Sequence, residues 1–373
     1  MPCSKTRWLH LGAVLMVTSA FAWPLAAEDF ARADHPRPFI FPRDHGNHSD
    51  FKTEWWYVTG TLRDTEGKRY GFQATWFRSA LVAVAPVRAS NLGTRDIYFF
   101  HGAVSDIDAG TFSHVHRASR GAGSWAKASA TELSVQVLTD DVASDGDGGF
   151  DLNFRVGDRT LGLHLRPQRA PLPHGASPGL SKKGAAVGQA SYYYSLTRLA
   201  TSGTISGPGG ERLQVEGQSW LDHEFGSNQL QKDQAGWDWF SAALDDGTDV
   251  MLYLLRRQDG SVDPASAGTL RFADGRRVHL RREDFVVTVL ERWKSPHTQA
   301  TYPSHWRIRI PAHDFDCVVR PLLPAQELTT EGTTQVSYWE GLCEWQGQLH
   351  GQRVSAAGYV ELVGYAGAFL TEI

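Results

Sequence analysis

Three Asp-Gly pairs, Asp246-Gly247, Asp259-Gly260 and Asp274-Gly275, each fall between runs of β-forming residues. The two-residue hairpin turn needs positive φ at its centre, which Asp-Gly supplies, so these pairs constrain the chain to antiparallel strands. The runs around them include residues 249–256, 269–272 and 277–280, followed by 285–290, 305–310 and 315–320. The first half is punctuated in the same way. A polar turn at 63–68 precedes an alternating run at 70–78, and Gly/Asp-rich turns bound 97–104, 131–138, 150–156 and 160–166. No segment holds a long 3.6-residue apolar period, so the chain reads as all-β. Its 373 residues are enough for two domains.

Residues 167–188 break the pattern. Pro167, Pro171, Pro173 and Pro178 do not suit a central strand, so this region is expected to be a long mobile loop, either a lid over a barrel mouth or a disordered excursion. The start of the chain reads as an export signal over residues 1–27. Lys5 and Arg7 lead into a mostly apolar run at 9–25, and small residues permit cleavage after Ala22 or near Ala27. No later stretch reaches the roughly 20 apolar residues of a membrane helix. The expectation is therefore an exported protein, periplasmic or secreted, with no transmembrane helix in its mature part. A net charge of −4 without a basic stripe argues against nucleic acid as a partner. Beyond the signal, Cys317 and Cys343 lie in strand-like runs. An oxidising compartment allows a disulfide between them, and two buried thiols are the alternative.

The chemistry is concentrated in two places. Residues 41–62, FPRDHGNHSDFKTEWWYVTGTL, place Asp44, His45 and His48 in a loop ahead of Glu54-Trp55-Trp56-Tyr57. In a strand, Glu54, Trp56 and Val58 share one face, while Trp55, Tyr57 and Thr59 share the other. Residues 217–226, GQSWLDHEFG, put Trp220, Asp222 and Glu224 on one face and Leu221, His223 and Phe225 on the other. Shortly after, Trp237 and Trp239 share a face opposite Asp238. An acid beside an indole on an inward face describes a ligand cavity lined by aromatics. The structural alternative makes the aromatics core, sets Glu54 in solvent at a strand entry, and pairs Asp222 with His223 to tie the inter-domain loop. Asp44, His45, His48, Asp222 and His223 would form an N/O metal set if both motifs met at one barrel rim. Asp-His-x-x-His in a loop lacks the helical spacing of a zinc site, so no metal is expected.

These stretches resemble a known family. F-P-x-D-H-x-x-H-x-x-F-x-T-E-W-W-Y-x-T-G-x-L looks like the N-terminal signature of the AttH / carotenoid 1,2-hydratase (hydroxyneurosporene synthase) family. W-x-D-H-E-F-G at 220–226, G-W-D-W-F at 236–240, and the closing Ser337–Gly341 and Gly358–Leu362 pieces resemble later signatures in the same order, with Val363 where Thr is commoner. The resemblance implies two tandem lipocalin-like antiparallel β-barrels, an N-terminal domain over 28–226 and a C-terminal one over 227–373. It also implies water addition across a carbon–carbon double bond of an isoprenoid, with no cofactor. The other function it implies is non-catalytic: a lipid or hydrophobic-ligand carrier associated with an ABC-type transport system. Hydration requires a neutral carboxylic acid to protonate the alkene, aromatic faces to steady the cation, and a polar group to hold water. Asp222 is the first candidate acid and Glu54 the second. His223 or His45 would position the water, and Trp55, Trp56, Tyr57, Trp220, Trp237 and Trp239 would wall an apolar ligand. The expectation is one site around Glu54, Trp56, Trp220 and Asp222. Some relatives are labelled secreted hydrolases, but the chain has no Gly-x-Ser-x-Gly elbow to support covalent hydrolysis.

Overall fold

The alternation seen in the sequence builds two large curled antiparallel sheets in the computed structural model, which describes residues 29–84, 90, 92–207, 209–228 and 230–367. The expected export signal at 1–27 lies outside these residues. In the first sheet the main path runs Thr111–Arg120, Asp96–Asp106, Arg69–Ala80, Thr53–Asp64, Arg212–Gly226, Ala190–Ser206, Arg159–Pro167, Phe150–Val156, Asp140–Ser144, Ser134–Val137, Ala126–Ala128. The second runs Arg277–Arg281, Ala267–Arg271, Asp249–Arg257, Gln234–Ala243, Gln352–Val363, Ser337–Leu349, Phe315–Pro321, Thr301–Ile310, Val286–Lys294.

Both sheets follow one plan. The first long strand of each pairs with its last, and the open seam falls between two strands consecutive in the chain. In the first sheet that seam lies between Thr111–Arg120 and Ala126–Ala128, and the sheet curls into a nearly closed barrel. In the second, Arg277–Arg281 and Val286–Lys294 flank the seam, with a short 3₁₀ turn at Arg282–Asp284 between them, and the sheet remains a half-barrel. The Asp-Gly turns behave as the sequence predicts, with φ of 90°, 83° and 86° at Gly247, Gly260 and Gly275.

Burial shows how the sheets meet. Phe150–Val156 alternates strictly between buried and exposed, as an outer wall should. By contrast, Thr53–Asp64 and the second half of Arg212–Gly226 are buried on both faces. One face of these strands packs into the barrel core with Trp76, Phe72, Phe100 and Phe154. The other packs against the half-barrel through Tyr57, Tyr193, Trp220, Trp239, Leu342 and Tyr359. Each aromatic buried here stabilises by about 1.5–3 kcal/mol. The sheets are also clamped by Asp249 of the second sheet, fully buried, which takes Arg198 from the first sheet, Arg169 from the segment that follows Arg159–Pro167, and Arg271 from its own sheet.

One expectation needs correction, and one open alternative is decided. Residues 167–188 form an ordered strap. Leu172–Pro173 and Leu180–Lys182 pair with Ala190–Ser206, and His174 is fully buried, with Nδ1 2.9 Å from Thr269 Oγ1 of the other sheet. Arg277 also donates to the carbonyl of Pro173 at 2.9 Å. The prolines are accommodated because Pro167 ends its strand, Pro173 sits in a pairing only two residues long, and Pro171 and Pro178 lie outside the strands. The cysteines, open between a disulfide and two buried thiols, are both buried free thiols. Their strands are neighbours, but Cys317 lies opposite Gly347 and Cys343 opposite Pro321. That four-residue offset separates the thiols by roughly 13 Å along the strands, far beyond disulfide reach.

Candidate functional site

Register decides which site residues meet. Thr53–Asp64 pairs with Arg212–Gly226 so that Trp56 lies opposite His223 and Tyr57 opposite Asp222. Successive residues point to opposite faces. Glu54, Trp56 and His223 therefore face the barrel, while Tyr57, Trp220 and Asp222 face the second sheet. The single site expected around Glu54, Trp56, Trp220 and Asp222 is divided by the sheet itself, and Asp222 and His223 cannot share one pocket.

On the barrel face Glu54 is the centre of a saturated ionic network. Its Oε1 lies 2.8 Å from His48 Nδ1 and 2.9 Å from His223 Nε2, and its Oε2 takes Arg78 Nε at 3.2 Å. The backbone N–H of His48 adds a bond at 2.9 Å. Burial alone would raise the Glu54 carboxyl, but the hydrogen bonds from His223 and His48 outweigh it and hold the group ionised. His48 reaches Asp44 Oδ1 through its other nitrogen at 3.0 Å. Burial opposes charge on this ring too, yet the two carboxylates raise its pKa. Arg78 finishes on Asp96 and on the carbonyls of His48 and Phe51. Trp56 donates to the carbonyl of His45 at 2.9 Å, and His45 Nδ1 meets Tyr194 Oη at 2.6 Å. Burial, then the His223 charge, pushes the His45 imidazole down to about 3. The loop motif thus becomes the plug at one end of the barrel.

His48, Glu54 and His223 each bring a donor atom within 4.8 Å of the others, the spacing of a metal site. Both nitrogens of His48 are turned to carboxylates, however, and Arg78 already neutralises Glu54. A divalent ion would have to displace both. This donor set fits an ion-paired keystone better than a metal centre.

The inter-sheet face has the opposite character. Asp222 Oδ1 accepts from Trp220 Nε1 at 2.6 Å and from Ser195, and Oδ2 accepts from Tyr193 Oη at 2.6 Å. No cation pairs with it among the described residues. Its neighbour Glu224 has Lys183 at 3.1 Å, whose ammonium also stands 4.1 Å from the Tyr253 ring centre. Burial raises the Asp222 carboxyl to about 7, against the pull of its three donors. A protonated Asp222 must turn its O–H toward Tyr193 or Ser195, because an indole N–H only donates. Tyr193 Oη receives Trp239 Nε1 at 3.0 Å, and His174 Nε2 lies 2.6 Å from Ser195 Oγ.

The half-barrel answers with two more acids. Glu340 and Glu361 are direct cross-strand partners on Ser337–Leu349 and Gln352–Val363. Tyr57 Oη donates to Glu340 Oε1 at 2.6 Å, and Trp237 Nε1 to Glu361 Oε2 at 2.8 Å. Burial, then the Glu361 charge, places Glu340 far above the carboxylate range, and burial lifts Glu361 to about 7. Trp55 and Trp237, half-buried, extend the same aromatic layer, with Tyr57 and Trp239 crossing edge-on at 5.2 Å. A cavity of about 110 Å³ opens between the sheets beside Trp220, Leu342 and Tyr359.

Of the residues singled out from sequence, Tyr57, Trp220, Asp222, Trp237 and Trp239 thus gather between the sheets with Trp55. Glu54, Trp56, His45 and His223 gather in the barrel plug. Sequence reasoning missed Tyr193, Ser195, His174, Lys183, Glu340 and Glu361 as site members. The available signal for the last two was a carboxylate flanked by aromatic and aliphatic residues, Tyr338-Trp339-Glu340 and Tyr359-Val360-Glu361-Leu362.

The family model described as AttH-like matches residues 32–365. A Nitrosomonas europaea protein designated AttH has a crystal structure with 33% sequence identity and a TM-score of 0.81, covering 90% of this chain and 100% of its own. Kievitone hydratase from Nectria haematococca superimposes with a TM-score of 0.69 over 91% of this chain and 97% of its own. At 15% identity that likeness is one of fold. No curated protein matches the sequence.

Proposed function

The chain belongs to the AttH-like family, and from that premise we propose that it is an exported protein holding an apolar ligand, a lipid or isoprenoid, between its two sheets. In this reading Asp222 supplies the proton for a cofactor-independent hydration of a carbon–carbon double bond. The observation that carries it is a buried acid without a cation, held among indole and phenol groups, with its carboxyl raised to about 7. Such a group is still substantially neutral near physiological pH, which a proton donor to an alkene requires. The Asp222 proton goes to one alkene carbon, directly or by exchange through the Tyr193 hydroxyl. The carbocation left on the other carbon is steadied by the faces of Trp220, Trp239 and Tyr57. Water adds its oxygen there and returns a proton to the Asp222 carboxylate, so the sum is one water gained and the acid restored. That kievitone hydratase, a hydratase by name, shares the fold is in keeping with this chemistry.

The carrier reading, with an ABC-type transporter as partner, is favoured by one observation: every Asp222 oxygen already has a protein donor. The two readings separate in one experiment. Mature protein is incubated with extracted membrane lipids and isoprenoids and followed by mass spectrometry, beside Asp222→Asn. Hydration predicts a prenyl or polyene product heavier by one water, with the variant slower by about a hundredfold or more. A lipid that binds both proteins unchanged supports the carrier, and no apolar binding to either would sink both readings.

A further inference from the structure

Three polar atoms between the sheets have no hydrogen-bond partner among the described residues: Glu340 Oε2, Gln73 Oε1 and His101 Nε2. Their residues are 1%, 1% and 2% exposed. Buried polar groups are normally paired, and an exception calls for an explanation in a bound water, ion or ligand. These exceptions are neighbours. Asp222, Tyr57, Thr75 and His101 stand directly opposite one another on four successive strands of the first sheet, roughly 4.8 Å apart. Gln73 bonds to Thr75 through its other amide atom. Glu340 is tied to Tyr57, and His101 Nδ1 meets Tyr338 Oη at 2.9 Å, two residues from Glu340 on the same strand face. The three free atoms therefore line one polar belt that starts at the Asp222 row and runs beneath the half-barrel.

We propose that Glu340, Gln73 and His101 form a hydroxyl-binding station of the inter-sheet site, which holds the oxygen of a water or alcohol. The inference rests on the inter-sheet ligand reading and extends it to the polar end of the ligand. The chemistry of the set selects the occupant. Burial keeps both Glu340 and His101 uncharged, so neither offers a full charge to an ion. A neutral carboxyl gives an O–H donor, the Gln73 carbonyl accepts, and an imidazole nitrogen completes the ring of partners. Water or an alcohol donates and accepts at once, and so satisfies both kinds of group. Under hydration this is where the attacking water or the product alcohol would be held, leaving Asp222 to the proton.

The test uses geraniol, a prenyl alcohol, and myrcene, a hydrocarbon of the same carbon count. Each is titrated by tryptophan fluorescence into full-length mature protein, Glu340→Met and Gln73→Leu. Each variant should weaken geraniol by about tenfold and leave myrcene unchanged, with Glu340→Gln retaining the alcohol preference. A measurement on the wild type needs no variant to fold: with carbon-13-labelled glutamate, the infrared carbonyl band of a protonated acid should shift with geraniol and not with myrcene. If both ligands bind, the ratio of their affinities is unchanged in the variants and the band does not move, the station is wrong while the inter-sheet ligand site stands. If neither ligand binds the wild type, both are overturned.

Discussion

The two faces of one strand pair, Thr53–Asp64 with Arg212–Gly226, carry acids of opposite kind. On the barrel face Glu54 is met by His48, His223 and Arg78 and stays charged at the end of a packed core. On the other face Asp222 meets only hydroxyls and an indole, and burial pushes it toward neutrality. The two acids are comparably buried, so burial is not what separates them. The partner set is. A cation-matched carboxylate is fixed as a structural ion, whereas a hydroxyl-matched one keeps a titratable proton. The first arrangement builds a fold and the second leaves chemistry open.

The sharpest way to break this contrast is to remove the cation. Arg78→Met should destabilise the protein by about 3–5 kcal/mol in urea denaturation, because it strands Glu54 with a buried charge. Asp222→Asn removes a charge that has no ionic partner and should cost far less. Equal losses from the two substitutions would mean that both acids serve the fold alone.

The next effect is in pH. The Asp222 carboxyl lies near 3.8 in an unfolded chain and about 7 in the folded one. Between those values the folded state binds the extra proton at this group, so its contribution to stability falls as pH rises from about 4 to about 7. Glu361, raised from 4.5 to about 7, adds the same sign. Glu54 acts in reverse. Its carboxyl is depressed, so its contribution is present above about pH 4.5 and is lost as pH falls below that. Buried neutral His45 and His101 act with the opposite sign in wild type and variant alike, so the test is the difference. Between about pH 4.5 and 7.5 the urea midpoint of the wild type should fall relative to that of Asp222→Asn. A pH dependence unchanged by Asp222→Asn would mean that Asp222 does not take up the extra proton on folding.

How much of this was legible in the sequence follows from the same geometry. Alternation within a strand correctly separated Trp56 from Tyr57 and Asp222 from His223, and the Asp-Gly turns located hairpins of the half-barrel. What one strand cannot show is register. Only the pairing of Tyr57 with Asp222 and of Trp56 with His223 reveals that Glu54 and Asp222 point apart. The strap at 167–188 looked mobile because prolines dominate its pattern. Its order comes from bonds to Thr269 and Arg277, about a hundred residues away in the chain, which composition does not encode. Glu340 escaped notice for the same reason, since Tyr57 is 283 residues distant.

The smallest effect tests whether the cation-free acid Glu340 in the inter-sheet layer is neutral. Tyr57→Phe removes the hydroxyl that holds Glu340 Oε1 and leaves the ring packed against Trp239. Between two neutral groups such a bond contributes about 1 kcal/mol, and to a carboxylate roughly twice that. Glu340 is buried beside a second acid with no cation, so it should stay protonated across the neutral range. The loss on Tyr57→Phe should then be about 1 kcal/mol and the same at about pH 5 and pH 8. A loss that doubles at the higher pH would show Glu340 ionised there. It would also mean that an acid without a cation bears charge as Glu54 does, and that hydroxyl partners do not keep an acid neutral here.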